Sequence, residues 1–271
     1  MIVSFPLVDR NYICLNSQKT LWLEESQDVS EALDYLRNIR KLTDDVIQKF
    51  KIGYYPSRLN KFEHNWAGRL IMPLYDAYDN LVVLTSRDFR CKNKEGMPHL
   101  HEEFNKSYYL YGLNIAKQHI IKKQSAIVVE GQFDTCTSHV NGFEQTVGIL
   151  GSSLSIHHVI SLTRYCDEIF LTFDRDDAGF RNLSRSIDLY KEYGLSSLNK
   201  LFIPVLLPKY KDPDEFLIKE GKDEYQAILE NAKKEVSKIG TVSFYEKLKI
   251  THPEINKENN GISKSSASRS Y

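Results

Sequence analysis

The sequence predicts an α/β chain with a mixed α+β N-terminal part, a parallel α/β sheet after it, and a short helical segment beyond. Three observations carry this. From residue 125 onward, short apolar runs alternate with helix-like stretches across short links, as in a parallel sheet with crossover helices. Residues 66–90 instead hold two β-rich runs, RLIMPLYD and NLVVLTSRDF, on either side of the turn-like AYDN, which predicts an antiparallel pair. Between residues 30 and 53 the apolar spacing is helical.

Taken in order, residues 1–29 are mixed in character and stand apart as an N-terminal extension, although Asp28-Val-Ser30 ahead of Glu31 offers a helix start. SEALDYLRNIR then spaces Ala32, Leu33, Leu36 and Ile39 along one helix face. Leu42-Thr43-Asp44-Asp45 offers an N-cap for a second short helix through VIQKF, and Gly53 reads as its stop. A loop with Gly96 and Pro98 follows the antiparallel pair, and a helix near residues 110–122 completes a subdomain at 30–123. Residues 124–207 supply the strands AIVVE, QTVGIL, EIFLTFD and LFIPVLL. The helices FDTCTSHVNG, SIHHVISLTRYC and AGFRNLSRSIDLYKEYG lie between them. Residues 208–245 read as an acidic loop and helices, and 246–271, ending in NKENNGISKSSASRSY, as a polar disordered tail.

Composition narrows the function classes. Among 271 residues, Lys+Arg and Asp+Glu both number 36, so bulk charge does not announce a nucleic-acid partner and any basic footprint must be local. Residues 51–123 hold such an excess, with 12 Lys and Arg against 7 Asp and Glu. Cys14, Cys91, Cys136 and Cys166 lie far apart with no C-x-x-C pair. That argues for free thiols in a reducing compartment and against a zinc site in this chain. No apolar run approaches the roughly 18 residues that span a bilayer, and the N-terminus lacks a signal-peptide pattern. A soluble cytoplasmic protein without a membrane partner is expected.

The acids raise a sharper question. AIVVE ends at Glu130, with Gly131 and Asp134 following; EIFLTFD ends at Asp174, with Asp176 and Asp177 following; the loop after the last strand carries Asp212 and Asp214. In a parallel sheet, Glu130 and Asp174 share the carboxyl edge, where ligands bind. Like charges 4 Å apart repel by about 1 kcal/mol in water and about 4 kcal/mol at an effective dielectric of 20, so such a cluster needs an offsetting proton, base or metal ion. Hard carboxylate oxygens suit Mg²⁺, Mn²⁺ or Ca²⁺. Asp177, ahead of a helix, reads as a first-turn acid.

These residues carry a resemblance. VVEGQFD and FDRDDAG resemble the two signature segments of the Toprim fold, shared by primases, topoisomerases and some nucleases that act on phosphodiesters with metal ions. The flanks resemble DnaG-type primases: FNKSYYLYGLNIA, the hairpin AGRLIMPLYDAYDNLVVLTSRDF, the helical start DYLRNIRKLTDDVIQKFKIGYYPS, and KDPDEFLIKEG, all in that family's order over residues 30–235. The resemblance implies a primase catalytic core that makes RNA primers on single-stranded DNA from nucleoside triphosphates. It implies Glu130, Asp174 and Asp176 as catalytic metal ligands, with Asp134, Asp212 and Asp214 supporting a second ion, so two Mg²⁺ or Mn²⁺ ions in all. Glu130 also suits proton handling at the attacking hydroxyl. Arg69, Arg87, Lys106 and Lys211 fall in the family-like segments and are expected to contact template or triphosphate. Arg58, Lys61, Lys92 and Lys94 read more simply as solvated loop charges.

The chain departs from that family in three places. Residues 1–30 carry only Cys14 and none of the ligands of its N-terminal zinc module. The family's basic stretch before the Leu-Tyr-Gly motif is reduced to PHLHEEF, so a basic contact is lost or His99 weakly replaces it. The sequence shows no long C-terminal helicase-binding bundle and no P-loop, so a fused helicase is not expected. A phage or plasmid primase, or a core fragment, is expected, with a helicase and a separate zinc module as possible partners. Two other functions stay open on the residues alone: a Toprim-type nuclease, and a catalytically silent nucleic-acid-binding subunit. Tyr108, Tyr109 and Tyr111 could stack on bases or pack in the core, and His157-His158 reads as a surface or core pair.

Overall fold

Two four-stranded sheets divide the chain, in a computed structural model that describes residues 7–56, 66–91 and 99–256. Arg58, Lys61, Lys92 and Lys94, and the polar run from residue 257, lie outside the described residues.

The first sheet is antiparallel. Its strands β1 (Gly53–Tyr55), β2 (Arg69–Tyr75), β3 (Leu81–Arg87) and β4 (His99–His101) pair in sequence order. Asp76 closes the β2–β3 turn, its carboxylate accepting from the amides of Tyr78 and Asn80. Helix α1 (Leu7–Leu23) packs on β1, so the stretch expected to stand apart as an extension is part of this layer. Its buried positions include Ile13, Cys14, Ser17, Thr20 and Leu21. They follow a helical period but are filled partly by small polar residues, which hides the stripe. The helix lies close against β1: a Cβ on Gly53 would stand 2.5 Å from the Ser17 carbonyl carbon. Gly53 therefore lets α1 and β1 touch and does not end a helix. Helix α3 (Asp44–Lys49), capped by Thr43, stops four residues earlier, and Lys51 takes the left-handed turn at φ 52°. Ahead of it, α2 (Gln27–Asp34) runs into a π-helical turn at Tyr35–Ile39 that ends on Arg40.

Helix α4 (Leu113–Lys123) leads into the second sheet, which is wholly parallel in the order β6 (Thr146–Gly148), β5 (Ser125–Val129), β7 (Glu168–Thr172), β8 (Leu201–Val205). Pro204 sits in β8, an edge strand, where its missing N–H costs no ladder bond. β5 is buried at all five positions, which explains its unbroken apolar run. One face of the sheet packs Val128, Leu171 and Phe202 under α4, α6 (Ile156–Thr163) and α7 (Asp177–Glu192). The other packs Ile127, Phe170 and Ile203 under α8 (Pro213–Glu220) and α9 (Lys222–Ile239). Helix α5 (Gln132–Val140) lies between the halves: Phe133 and Cys136 join the core of the antiparallel part with Leu36, Val46 and Tyr54.

Residues 246–256, expected in the polar tail, form regular structure. Helix α10 runs from Thr241 to Thr251, and a 3₁₀ turn at Pro253–Asn256 follows. Phe244, Tyr245 and Ile255 are buried in the sheet's cores, and these few apolar anchors hold an otherwise polar stretch in place.

Candidate active site at the carboxyl edge of the parallel sheet

Strands β5 and β7 are neighbours, so Glu130 and Asp174, the residues just past their ends, come side by side. Asp174 donates its backbone N–H to Glu130 Oε1 at 3.3 Å. Burial raises the Glu130 carboxyl above the ordinary range, against a hydrogen bond from Asn182. The Asp174 carboxyl is pushed up to about 8, by burial first and then by the charges of Asp134, Glu130 and Asp212. Its Oδ1 is buried without a hydrogen-bond partner. Asp134, in the first turn of α5, accepts from the amides of Gly131 at 2.9 Å and Asp214 at 3.1 Å. Burial, then Asp212 and Asp214, push its carboxyl up to about 7.

Asp176 behaves differently. It caps α7, accepting from the amides of Ala178 and Gly179 at 3.1 Å each, and Lys211 Nζ lies 3.3 Å from its other oxygen. Burial pushes its carboxyl up, but those donors outweigh burial and hold it below the usual range. Lys211 is raised in return by Asp176. Asp212 caps α8 through the Glu215 amide at 2.8 Å. Asp214, expected among the metal ligands, is not part of the cleft lining. It is buried, bonded by Thr137 Oγ1 and ion-paired with Arg40. Arg40 lies over Phe133 at 4.4 Å and donates to the Tyr35 hydroxyl at 2.8 Å. The acid therefore ties the helical hairpin to α8, and it reaches the site through its backbone N–H on Asp134.

The loop between β7 and α7 is braced twice. Arg175 reaches Glu254 at 3.0 Å, so the C-terminal 3₁₀ turn supports the acids. Gly179 lies against the Asp174 backbone, where a Cβ would meet the carbonyl oxygen at 1.9 Å. Gly179→Ala is expected to cost about 3 kcal/mol in urea unfolding, the upper end for overpacking, because the obstacle is backbone and cannot rotate away.

Glu130, Asp134 and Asp174 line a cleft of about 410 Å³ whose other wall includes Thr85, His99 and Lys106 from the antiparallel half. Lys106 Nζ donates to the Leu150 carbonyl at 3.2 Å, and burial lowers its pKa. His99, bonded to Arg87, is pushed down to about 4 by the surrounding protein and then by Arg87, Arg69, Arg40 and Lys106. It is neutral at neutral pH and does not restore a basic contact. Arg69, expected at template or triphosphate, is buried in β2 on Ser86 at 2.9 Å with Asp88 at 3.6 Å. Tyr111 is core, stacked on Phe50. His158 is buried and bonded to the Lys106 carbonyl. Sequence reasoning missed Arg40, which sits outside the acidic segments, and Asn182, an uncharged residue three positions past FDRDDAG.

The donor set suits a hard divalent cation. Carboxylates raised by burial and then by their neighbours' charges, and an orphaned buried oxygen on Asp174, are what a cation would relieve. As the side chains stand, no three acid, histidine or cysteine groups among the described residues are arranged to hold one ion. Lys211 holds Asp176 and Arg40 holds Asp214 instead. No helix among the described residues is long and apolar enough to cross a membrane.

Comparison with known proteins locates the same segments. A family model described as Toprim-like matches residues 127–217. A DNA primase of Synechococcus elongatus is 30% identical over 231 residues, covering 73% of this chain and 33% of its own length. A DNA primase of Chlamydia pneumoniae is 30% identical over 232 residues, covering 76% of this chain and 38% of its own length. The chain thus spans between a third and two fifths of these curated relatives. The structure of the DnaG catalytic core matches with a TM-score of 0.72 at 23% identity, covering 83% of this chain and 80% of that one. The DnaG primase catalytic domain bound to single-stranded DNA matches with the same TM-score at 22% identity, over 83% and 80% of the two chains.

Proposed function

We propose, on the premise that this chain carries the Toprim-containing catalytic domain of DnaG-type primases, that it makes short RNA primers on single-stranded DNA from nucleoside triphosphates. The observation that carries this is the cleft: Glu130, Asp134 and Asp174, each with its carboxyl raised by burial, and a half-buried lysine line one cavity between the two sheets.

Glu130, Asp174 and Asp176 would hold two Mg²⁺ or Mn²⁺ ions, with Asp134 and Asp212 in support; such ions neutralise triphosphate charge and acidify the attacking 3′-hydroxyl. Glu130, with its raised pKa, takes the hydroxyl proton. Lys106 positions the triphosphate by charge, and Arg87 supports it from behind His99. Lys211, now paired with Asp176, would be free to contact a phosphate if a cation occupied that carboxylate. Asp214 keeps Asp134 in position through its backbone N–H. Start-site choice belongs to a separate zinc-binding module, and a replicative helicase is a further partner, in the cytoplasm of a bacterial or phage-infected cell.

The test follows the fate of both strands. With end-labelled linear single-stranded DNA, Mg²⁺ and ribonucleoside triphosphates, the DNA should stay at full length while new oligonucleotides appear. Shortened DNA without new oligonucleotides would favour hydrolysis by the same acids.

A further inference from the structure

The turn that carries Lys106 also carries an aromatic side chain that the catalytic cleft does not use. Tyr108 is 52% exposed. Its ring stacks on His157, at the start of α6, with centroids 4.1 Å apart and planes 26° from parallel. The stack is held from below. His158 Nε2 bonds the Lys106 carbonyl at 2.9 Å, Ser155 Oγ donates to the Ser107 carbonyl at 2.6 Å, and Lys106 Nζ donates to the Leu150 carbonyl at 3.2 Å. An exposed aromatic pair on a turn fastened at three points presents a flat surface in a fixed place.

That place adjoins the cleft. Leu150 and Gly151, at the start of the β6–α6 loop, line the cleft with Lys106. The same loop continues to Ser153, which bonds Asn182 at 2.9 Å and accepts from the exposed Arg185 at 3.1 Å. Asn182 in turn bonds Glu130. A continuous strip of contacts therefore runs from the acids, past the loop and a surface arginine, to the stack.

We propose that Tyr108 and His157 form a stacking platform for single-stranded nucleic acid beside the cleft, with Arg185 as its phosphate contact. This rests on the primase reading only for why a strand lies there. Every base offers a π-face, so a platform of this kind binds without sequence preference, and a cation alongside it holds the backbone. The strand is either template DNA or the growing RNA, which share this chemistry.

The test is fluorescence anisotropy with labelled dT₂₀ and rU₂₀ in EDTA, with the full chain. Tyr108→Ala should weaken binding of one or both by about 5- to 150-fold, the span for one stacked base. Tyr108→Phe should bind like the wild type, because the ring remains. A loss with dT₂₀ alone assigns the platform to template, and a loss with rU₂₀ alone assigns it to product. Unchanged binding by Tyr108→Ala, or equal losses in Tyr108→Ala and Tyr108→Phe, would overturn the proposal, as would a wild type that binds neither strand. A chain that binds through Tyr108 but joins no nucleotides would refute the primase reading and leave the platform standing.

Discussion

Asp174→Asn should yield a protein that folds better at high pH and no longer joins nucleotides. The Asp174 carboxyl titrates near 8 in the folded chain, against 3.8 for an ordinary aspartate, and its buried Oδ1 has no partner. The folded state therefore holds the proton more tightly than the unfolded state. The sign follows: this group's contribution to stability falls as pH rises from about 4 to about 8 and is flat above that. An asparagine mimics the protonated acid at every pH. Without divalent ions, the variant's advantage in Tm over the wild type should be absent below about pH 4, widen up to about pH 8, and reach roughly 2–6 °C at pH 8.5, about 1–1.5 kcal/mol once solvent screening of the partly exposed group is allowed for, at about 2–4 °C per kcal/mol. Primer synthesis should fall about 10²- to 10⁴-fold, the equivalent of the several kcal/mol of charge stabilisation an ion supplies. A variant that is less stable at pH 8.5 would show that Asp174 has a partner in solution.

Arg40→Ala carries the second large effect. It leaves Asp214 buried and charged with Thr137 as its remaining side-chain partner. Burial already raises the Asp214 carboxyl, against the pull of Thr137 and Arg40, so removing the cation raises it further. Breaking a buried pair from one side costs about 3–5 kcal/mol, and the partial exposure of Arg40 puts this case near 3. Thermal unfolding should show a Tm lower by roughly 6–12 °C. The double variant Arg40→Ala, Asp214→Asn should recover a good part of that loss, since no charge is left unpaired. Full additivity of the two single variants would mean the pair is uncoupled.

The parallel sheet and its acidic edge were legible because burial on both faces writes β5 and β7 as unbroken apolar runs. The acids after them then mark the strand ends. The antiparallel pair was legible from AYDN between two β-rich segments. Helix α1 was not, because Ser17, Thr20 and Cys14 fill much of its buried stripe. Gly53 misled for a related reason: a glycine needed for close approach looks the same in sequence as one that ends a helix. Arg69 lies in a strand buried at six of seven positions, so alternation could not say which way it pointed. Arg40 and Asp214 lie 174 positions apart, and no local signal joins them. The expectation that Asp214 serves the site came from its segment, whereas its side chain pairs with Arg40, which packs on Phe133 of α5.

The most direct measurement uses a circular single-stranded DNA of mixed sequence, which offers no 3′ end to extend. Labelled ribonucleoside triphosphates and Mg²⁺ are supplied to the wild type and to Asp174→Asn in parallel. Short labelled RNAs that require the DNA, the Mg²⁺ and Asp174 are the result expected. Wild-type silence, or incorporation that Asp174→Asn leaves intact, would contradict the assignment of this acidic edge to primer synthesis.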